Sequence, residues 1–515
     1  MVASDPHGVQ SQDPALDENN GVTSHLSRWI TSLQLKDIPT DVVERAKHLI
    51  LDGIVCGLVG ARVPWSEECV ASVLDFEPPG YCTVIGYEKS LGPLAAAVLN
   101  GAFIQATELD DYHSGAPLHS AAVVLPALFA AAQVIANPKS STSGEKRGAS
   151  EINGIHPDGK VVSGLDFLLA TVVGLETGPR AGLGCGGTDL LKRGWHSGPV
   201  FGCPAAAAAS SKLLGLSADD VESAIGVACT QAGGLMAAQY EGMIKRVQHA
   251  FAARNGLFGA LLCRNGYVGI KKVFERRYGG FLSMFSQGNG QTPQYDSRRV
   301  VEDLGSTWQM MNIRIKLYAC VGGCHGQIEA LARLQALHPD RFAPESLAQI
   351  AKIQVHLSGA IFAHDGWAPE ERPMTETGAQ MNAAYIGAVQ LVDRQVLLAQ
   401  FAASTLNRDE VWDLVYKTTC YHDTHFDKPH HVCGARVIVE FNDGFQVEET
   451  VNFPKGYDPP ITDEEIRMKY RRLAASAIDR ERMEKIEKLV VGLENLEDVS
   501  ELLELLPAPT KRVLG

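Results

Sequence analysis

Apolar residues recur at helical spacing through most of the first 290 positions. PTDVVERAKHLILDGIVCGLVGA opens with Asp41 and Glu44 spaced as a capping box, then turns apolar every three or four residues. GPLAAAVLNGAFIQATEL, SAAVVLPALFAAAQVIA, GLDFLLATVVGLETG, GPVFGCPAAAAASSKLLG and SADDVESAIGVACTQAGGLM follow, rich in alanine and glycine. Small residues let helices approach closely, which predicts a layered helical domain packed on itself. Near residue 312 the period changes. NIRIKLYA and KIQVHLSGAI alternate like strands, and RVIVEFNDGFQVEETV reads as a hairpin turning at Asn442-Asp443-Gly444. Helical patterns lie between them, in GQIEALARLQALH and MNAAYIGAVQLVD. Charged amphipathic helices return after PKGYDPPITDEE. The expected fold is mainly α with a smaller α+β domain. A helical domain covers 22–311, an α+β lid domain covers 312–454, and C-terminal helices over 455–515 rejoin the first domain. Residues 1–21 read as a disordered tail and 138–162 as a polar surface insertion.

Composition narrows the function classes. A chain of 515 residues exceeds one simple core. A net charge of −14 with no Lys/Arg run argues against nucleic-acid binding, although a local basic pocket can still take an anion. Eleven cysteines scattered through apolar segments read as reduced thiols, not a disulfide framework. The N-terminus carries no secretory or organelle pattern, and the run 120–136 is interrupted by Pro126 and too short to cross a membrane. A soluble cytoplasmic protein is expected, with no membrane and no nucleic acid as partners.

Four clusters carry candidate chemistry. The loop DDYHSGAPLH brings Asp110, Asp111, Tyr112, His113 and His119 together before a buried helix. There a histidine can be tuned into a general acid. The plainer reading is a solvated loop whose side chains cap the helix at Ser120. RGWHSGP repeats the arrangement with Trp195 and His196. KRVQHAFAAR places Lys245 and His249 on one helix face, with Arg246 and Arg254 nearby. In NIRIKLYACVGGCHG, Arg314 and Lys316 alternate with apolar residues, and His325 follows a glycine turn. These cations either grip carboxylates or form the wet face of a sheet. CYHDTHFDKPHHVC holds four histidines and two cysteines, but its spacing matches no zinc pattern, and no metal is expected. GLGCGG follows a helical pattern where a dinucleotide loop needs a strand.

DVVERAKHLILDGIVCGLVGAR, ATELDDYHSGAPLHSAAVVLPA, RGWHSGPVFG, KRVQHAFAARNGL, GYVGIKKVFERRYGGFL and IRIKLYACVGGCHG occur in an order that resembles the MmgE/PrpD family. With VPWSEECV and HDGWAPEERP, the wording is similar to the fungal branch that decarboxylates cis-aconitate to itaconate. The resemblance implies a homodimer free of cofactor and metal, with a small-molecule tricarboxylate bound between helical domain and lid. It implies catalytic or substrate-binding roles for His119, His196, Lys245 and Lys316. Asp110, Asp111, Tyr112, His113, Trp195 and His325 are the expected substrate-binding residues around them. Glu108, Asp111 and Tyr112 fall where residues line the site in animal decarboxylases of the family, where types and spacing differ. His364 and Trp367 are the candidates for an aromatic residue of the lid. The expected reaction is loss of CO2 from cis-aconitate, with cations holding the surviving carboxylates and a histidine protonating the dienolate-like intermediate. The alternatives are dehydration of 2-methylcitrate or a related tricarboxylate and, more remotely, tricarboxylate binding without catalysis.

Overall fold

The computed structural model describes residues 21–137, 160–428 and 431–514. Almost all of the expected tail and polar insertion lies outside the described residues. The fold is mainly helical with a smaller α+β part, as the periodicity implied.

Five apolar helices form the centre: Pro93–Gln105, Ser120–Ala136, Gly164–Gly184, Ser197–Leu213 and Lys245–Cys263. Their alanines and glycines are there for backbone approach. A Cβ added at Gly256 would sit 2.3 Å from the Ala206 Cβ, so any larger residue would push two helices apart. The helix Thr40–Gly60 packs against Pro93–Gln105 on one side and the C-terminal helix Asp463–Ala477 on the other. It begins two residues earlier than the capping-box reading implied. Pro39 is the N-cap, and Asp41 lies in the first turn without a side-chain cap. Its negative charge still suits the positive end of the helix dipole.

The α+β part holds a four-stranded sheet in the order Thr418–His422, Ile350–Leu357, Ala435–Phe441, Gln446–Val451. The first pair is parallel and the others antiparallel. The last two strands are the expected hairpin, and Gly444 takes the left-handed conformation of its turn (φ +83°). The helices His325–Leu337 and Ala383–Asp393 pack on this sheet.

NIRIKLYA behaves differently from its pattern. Only Ile313–Ile315 is strand, and it pairs with Asp111–His113 instead of joining the sheet. Tyr112 lies opposite Arg314 in this two-stranded ladder. Arg45 fastens the ladder to the helix Thr40–Gly60 by donating to the Ile313 carbonyl at 2.9 Å. Arg314 and Lys316 therefore do not act as a pair on a wet sheet face. The Arg314 guanidinium lies over the Tyr457 ring, 5.8 Å from its centroid, whereas Lys316 is 2% exposed.

Candidate active site

The ladder delivers Lys316 to the loop that follows the helix Pro93–Gln105. In that loop Glu108 adopts a left-handed backbone (φ +55°), which costs a non-glycine residue roughly 1–2 kcal/mol. The turn carries the Glu108 carboxylate to two ammonium groups. Lys245 Nζ lies 2.5 Å from Oε1 and Lys316 Nζ 2.7 Å from Oε2. Gln105 Nε2 also donates to Oε1. All three charged side chains are buried. Burial alone would push the Glu108 carboxyl up, but the Lys245 and Lys316 ammoniums hold it well below the usual range. Burial pulls the Lys245 ammonium down, with Glu108 opposing. Lys316, which also faces Asp110, is held up in spite of its burial.

Eleven residues after Glu108, the loop reaches His119, the last residue before the helix Ser120–Ala136. Asp111 caps that helix, accepting from the amides of Ser120 and Ala121 at 3.0 and 2.9 Å. Burial and the neighbouring Asp110 push the Asp111 carboxyl up to about 8. Asp110 turns the other way, and its Oδ2 lies 2.9 Å from His119 Nδ1. His196 holds the equivalent place before the helix Ser197–Leu213, with Nδ1 bonded to the Gln248 side-chain oxygen. Ser197 Oγ donates to the Pro117 carbonyl at 2.6 Å and ties the two histidine loops together. His249 stands between the imidazoles, edge-on to both, at 4.6 Å between centroids. Gly198 makes room for it, since a Cβ there would fall 1.9 Å from His249 Nε2. Burial, followed by the nearby positive charges, holds His196 and His249 well below the usual imidazole range. Both are neutral rings at neutral pH.

These groups open into one cavity where the helical and α+β parts meet. Glu108, Tyr112, His119, His196 and Lys245 line it from the helical part. Lys316, Gly322, Gly323, Ile361, His364, Val432 and Cys433 complete the lining, and Leu191, Met236 and Met381 add apolar wall. Gln380 braces the junction. Its amide donates to the Thr107 and Ala319 carbonyls, and its oxygen accepts from Arg246 at 2.8 Å.

Residues 24–294 match the MmgE/PrpD N-terminal domain and residues 318–495 the MmgE/PrpD C-terminal domain. The chain belongs to the MmgE/PrpD family. It is 66% identical over 485 residues to the cis-aconitate decarboxylase-like protein oryM of Aspergillus oryzae, covering 94% of this chain and 97% of that one. It is 53% identical over 498 residues to the cis-aconitate decarboxylase of Aspergillus terreus, covering 96% and 98%. The human cis-aconitate decarboxylase is 25% identical over 504 residues, covering 95% of each chain.

In this MmgE/PrpD chain, His119, His196, Lys245, Lys316 and Tyr112 line one cavity. The other sequence-predicted residues stand off it. Asp110 lies behind His119, and Asp111 is spent on the helix cap. His113 is buried and accepts amide bonds from Gly115 and Ala116, and burial pushes it down to about 3. Trp195 packs edge-on against Phe285, and His325 against Tyr318. Of the two lid candidates, His364 lines the cavity, whereas Trp367 packs edge-on against Tyr240.

Glu108 entered the sequence reading only through the family resemblance. A charged residue closing a strongly apolar helical run was the local signal for it. Val432 and Cys433 come from the segment set aside as a poor metal motif. Cys433 Sγ lies 3.7 Å from the Tyr112 hydroxyl, and nothing in the local pattern points to that meeting. Among the described residues, no three His, Cys, Asp or Glu side chains gather as metal ligands, and all eleven cysteines are free. No single described helix is long and apolar enough to cross a membrane.

Proposed function

We propose that this chain decarboxylates cis-aconitate to itaconate and CO2 without a cofactor. The observation that carries the reading is the cavity joining His119, His196, Lys245 and Lys316, in a chain so similar along its length to a fungal cis-aconitate decarboxylase. Cations beside an apolar wall and a positioned imidazole match the needs of this reaction.

The C–C bond to the carboxylate on the CH2 arm breaks, and its electron pair forms the new CH2=C double bond. The pair of the old double bond moves to the CH carbon, beside a second carboxylate. That carbon then takes a proton. Lys245 and Lys316 stabilise the surviving carboxylates and the charge that develops on them. Glu108 sets the spacing of the two ammoniums and reduces their combined charge to one net positive. CO2, which is neutral, leaves toward the apolar wall at Leu191, Met236 and Ile361. His119 delivers the proton to carbon. Asp110 accepts a bond at its Nδ1, which leaves Nε2 for the cavity. His196, a neutral ring bonded at Nδ1, serves as a hydrogen-bonding partner of a substrate carboxylate and not as the acid. The same reading places the protein in the cytoplasm as a homodimer.

Proton NMR of chelator-treated protein mixed with cis-aconitate tests it. New vinylidene signals are expected. Unchanged cis-aconitate in the presence of folded protein would reject the reading.

A further inference from the structure

The left-handed turn at Glu108 is gripped from behind. Lys469, on the C-terminal helix Asp463–Ala477, donates to the Leu109 carbonyl at 2.5 Å. The same ammonium lies 2.7 Å from Asp52 Oδ1, on the helix Thr40–Gly60. The Lys469 side chain is 8% exposed and that of Asp52 1%. Leu109 sits between the two carboxylates that organise the cavity, Glu108 toward the lysines and Asp110 toward His119. A shift of its carbonyl would re-aim both. An unfavoured backbone conformation persists only where its surroundings over-determine it. Here a buried ion pair between chain segments more than 400 residues apart supplies one of the constraints.

A second observation makes this grip reachable. A cavity of about 550 Å3 lies behind the loop, lined by Leu109, Leu317, Leu398, Met468, Lys469 and Arg472. Leu109 and Leu317 are the chain neighbours of Glu108 and Lys316, whose own side chains line the active cavity. The catalytic loop is thus a thin wall between two cavities, and Lys469 meets it from the rear one.

We propose that Lys469, anchored by Asp52, is a positioning residue that holds the Glu108–Asp110 turn in its working geometry. The titratable groups around it are Asp52 and the Cys56 thiol from the helix Thr40–Gly60, Asp110 from the loop, His325, and Lys455, Glu465 and Arg472 along the rear cavity. None of them duplicates its bond to the Leu109 carbonyl.

The kinetic arm of the test rests on the decarboxylase reading, and the exchange arm does not. In K469A, kcat is expected to fall about 10- to 100-fold with KM within threefold, because misplaced groups slow the step more than they weaken binding. Ethylammonium, small enough for the rear cavity, should restore several-fold of that loss and saturate, and K469R should retain most of the activity. Peptide-level hydrogen exchange over 106–113 should quicken while the helix Ser120–Ala136 keeps its protection. Unchanged kcat and unchanged exchange over 106–113 in K469A would overturn the proposal. So would a loss of activity that no alkylammonium restores and that leaves that exchange unchanged. If K469A fails to fold, D52N takes its place. There, faster exchange over 106–113 supports the proposal, and unaltered exchange and kcat overturn it. An unsubstituted chain that forms no itaconate would count against the decarboxylase reading alone, since exchange still reports on the grip.

Discussion

His119 and His196 each occupy the last residue before a buried, alanine-rich helix, and each stands edge-on to His249 at the same centroid distance. Backbone and neighbours are alike, and the partner at Nδ1 differs. His119 faces a buried carboxylate, Asp110, and His196 faces an amide, Gln248. A carboxylate stabilises an imidazolium poised to give up its proton, and a neutral amide oxygen does so far more weakly. Burial and the Lys245 ammonium then hold His196 neutral. On the proposed reading, one repeated design yields an acid at His119 and a neutral hydrogen bonder at His196.

The largest effect that tests this contrast is removal of the acid itself. H119A should lower kcat by about a thousandfold, within the range for a lost general acid, whereas H196A should cost tenfold less. Equal losses would remove the distinction. Next comes the cationic clamp. K316M or K245M should lower kcat/KM by roughly a hundredfold and lower Tm, because buried Glu108 keeps only one ammonium. D110N, which keeps a hydrogen-bonding group but removes the charge, should lower kcat about tenfold or more. The matching Q248N should change it by less than threefold.

Q248E sharpens the comparison by giving His196 a carboxylate. Its imidazole should titrate higher than in the unsubstituted chain, as read by NMR of the ring nitrogens. An unmoved titration would mean that burial outweighs the partner. The last test concerns stability at Asp111. Its folded carboxyl is raised to about 8, above the value of about 3.9 for an unfolded aspartate. Ionisation therefore favours the unfolded chain. The destabilisation is absent below about pH 4 and grows as pH rises toward 8. D111N loses some capping strength at every pH but escapes this penalty, so its stability relative to the unsubstituted chain should improve between pH 5 and pH 8 in urea melts.

Much of this was legible in local pattern. Apolar periodicity located the central helices, and Asn442-Asp443-Gly444 located the hairpin, because both signals depend on neighbours within a few residues. The two histidine loops and Lys245 stood out for the same reason. The pattern misled where a segment's partner was remote. Ile313–Ile315 alternates like a strand of the sheet, yet it pairs with residues 111–113. GWHSG suggested a role for Trp195, but its ring points to Phe285.

By itself the sequence determined the helix-rich texture, the smaller α+β part with its hairpin, and the supply of titratable groups. Each follows from side-chain chemistry and short-range spacing. Only the tertiary structure decided which charges meet. Glu108 reaches ammoniums 137 and 208 residues away, Asp52 reaches Lys469, and Cys433 reaches Tyr112. Such meetings are selected by packing: a buried charge is tolerated only where the folded chain brings a counter-charge or hydrogen-bonding oxygens within about 3 Å, and no local period encodes that.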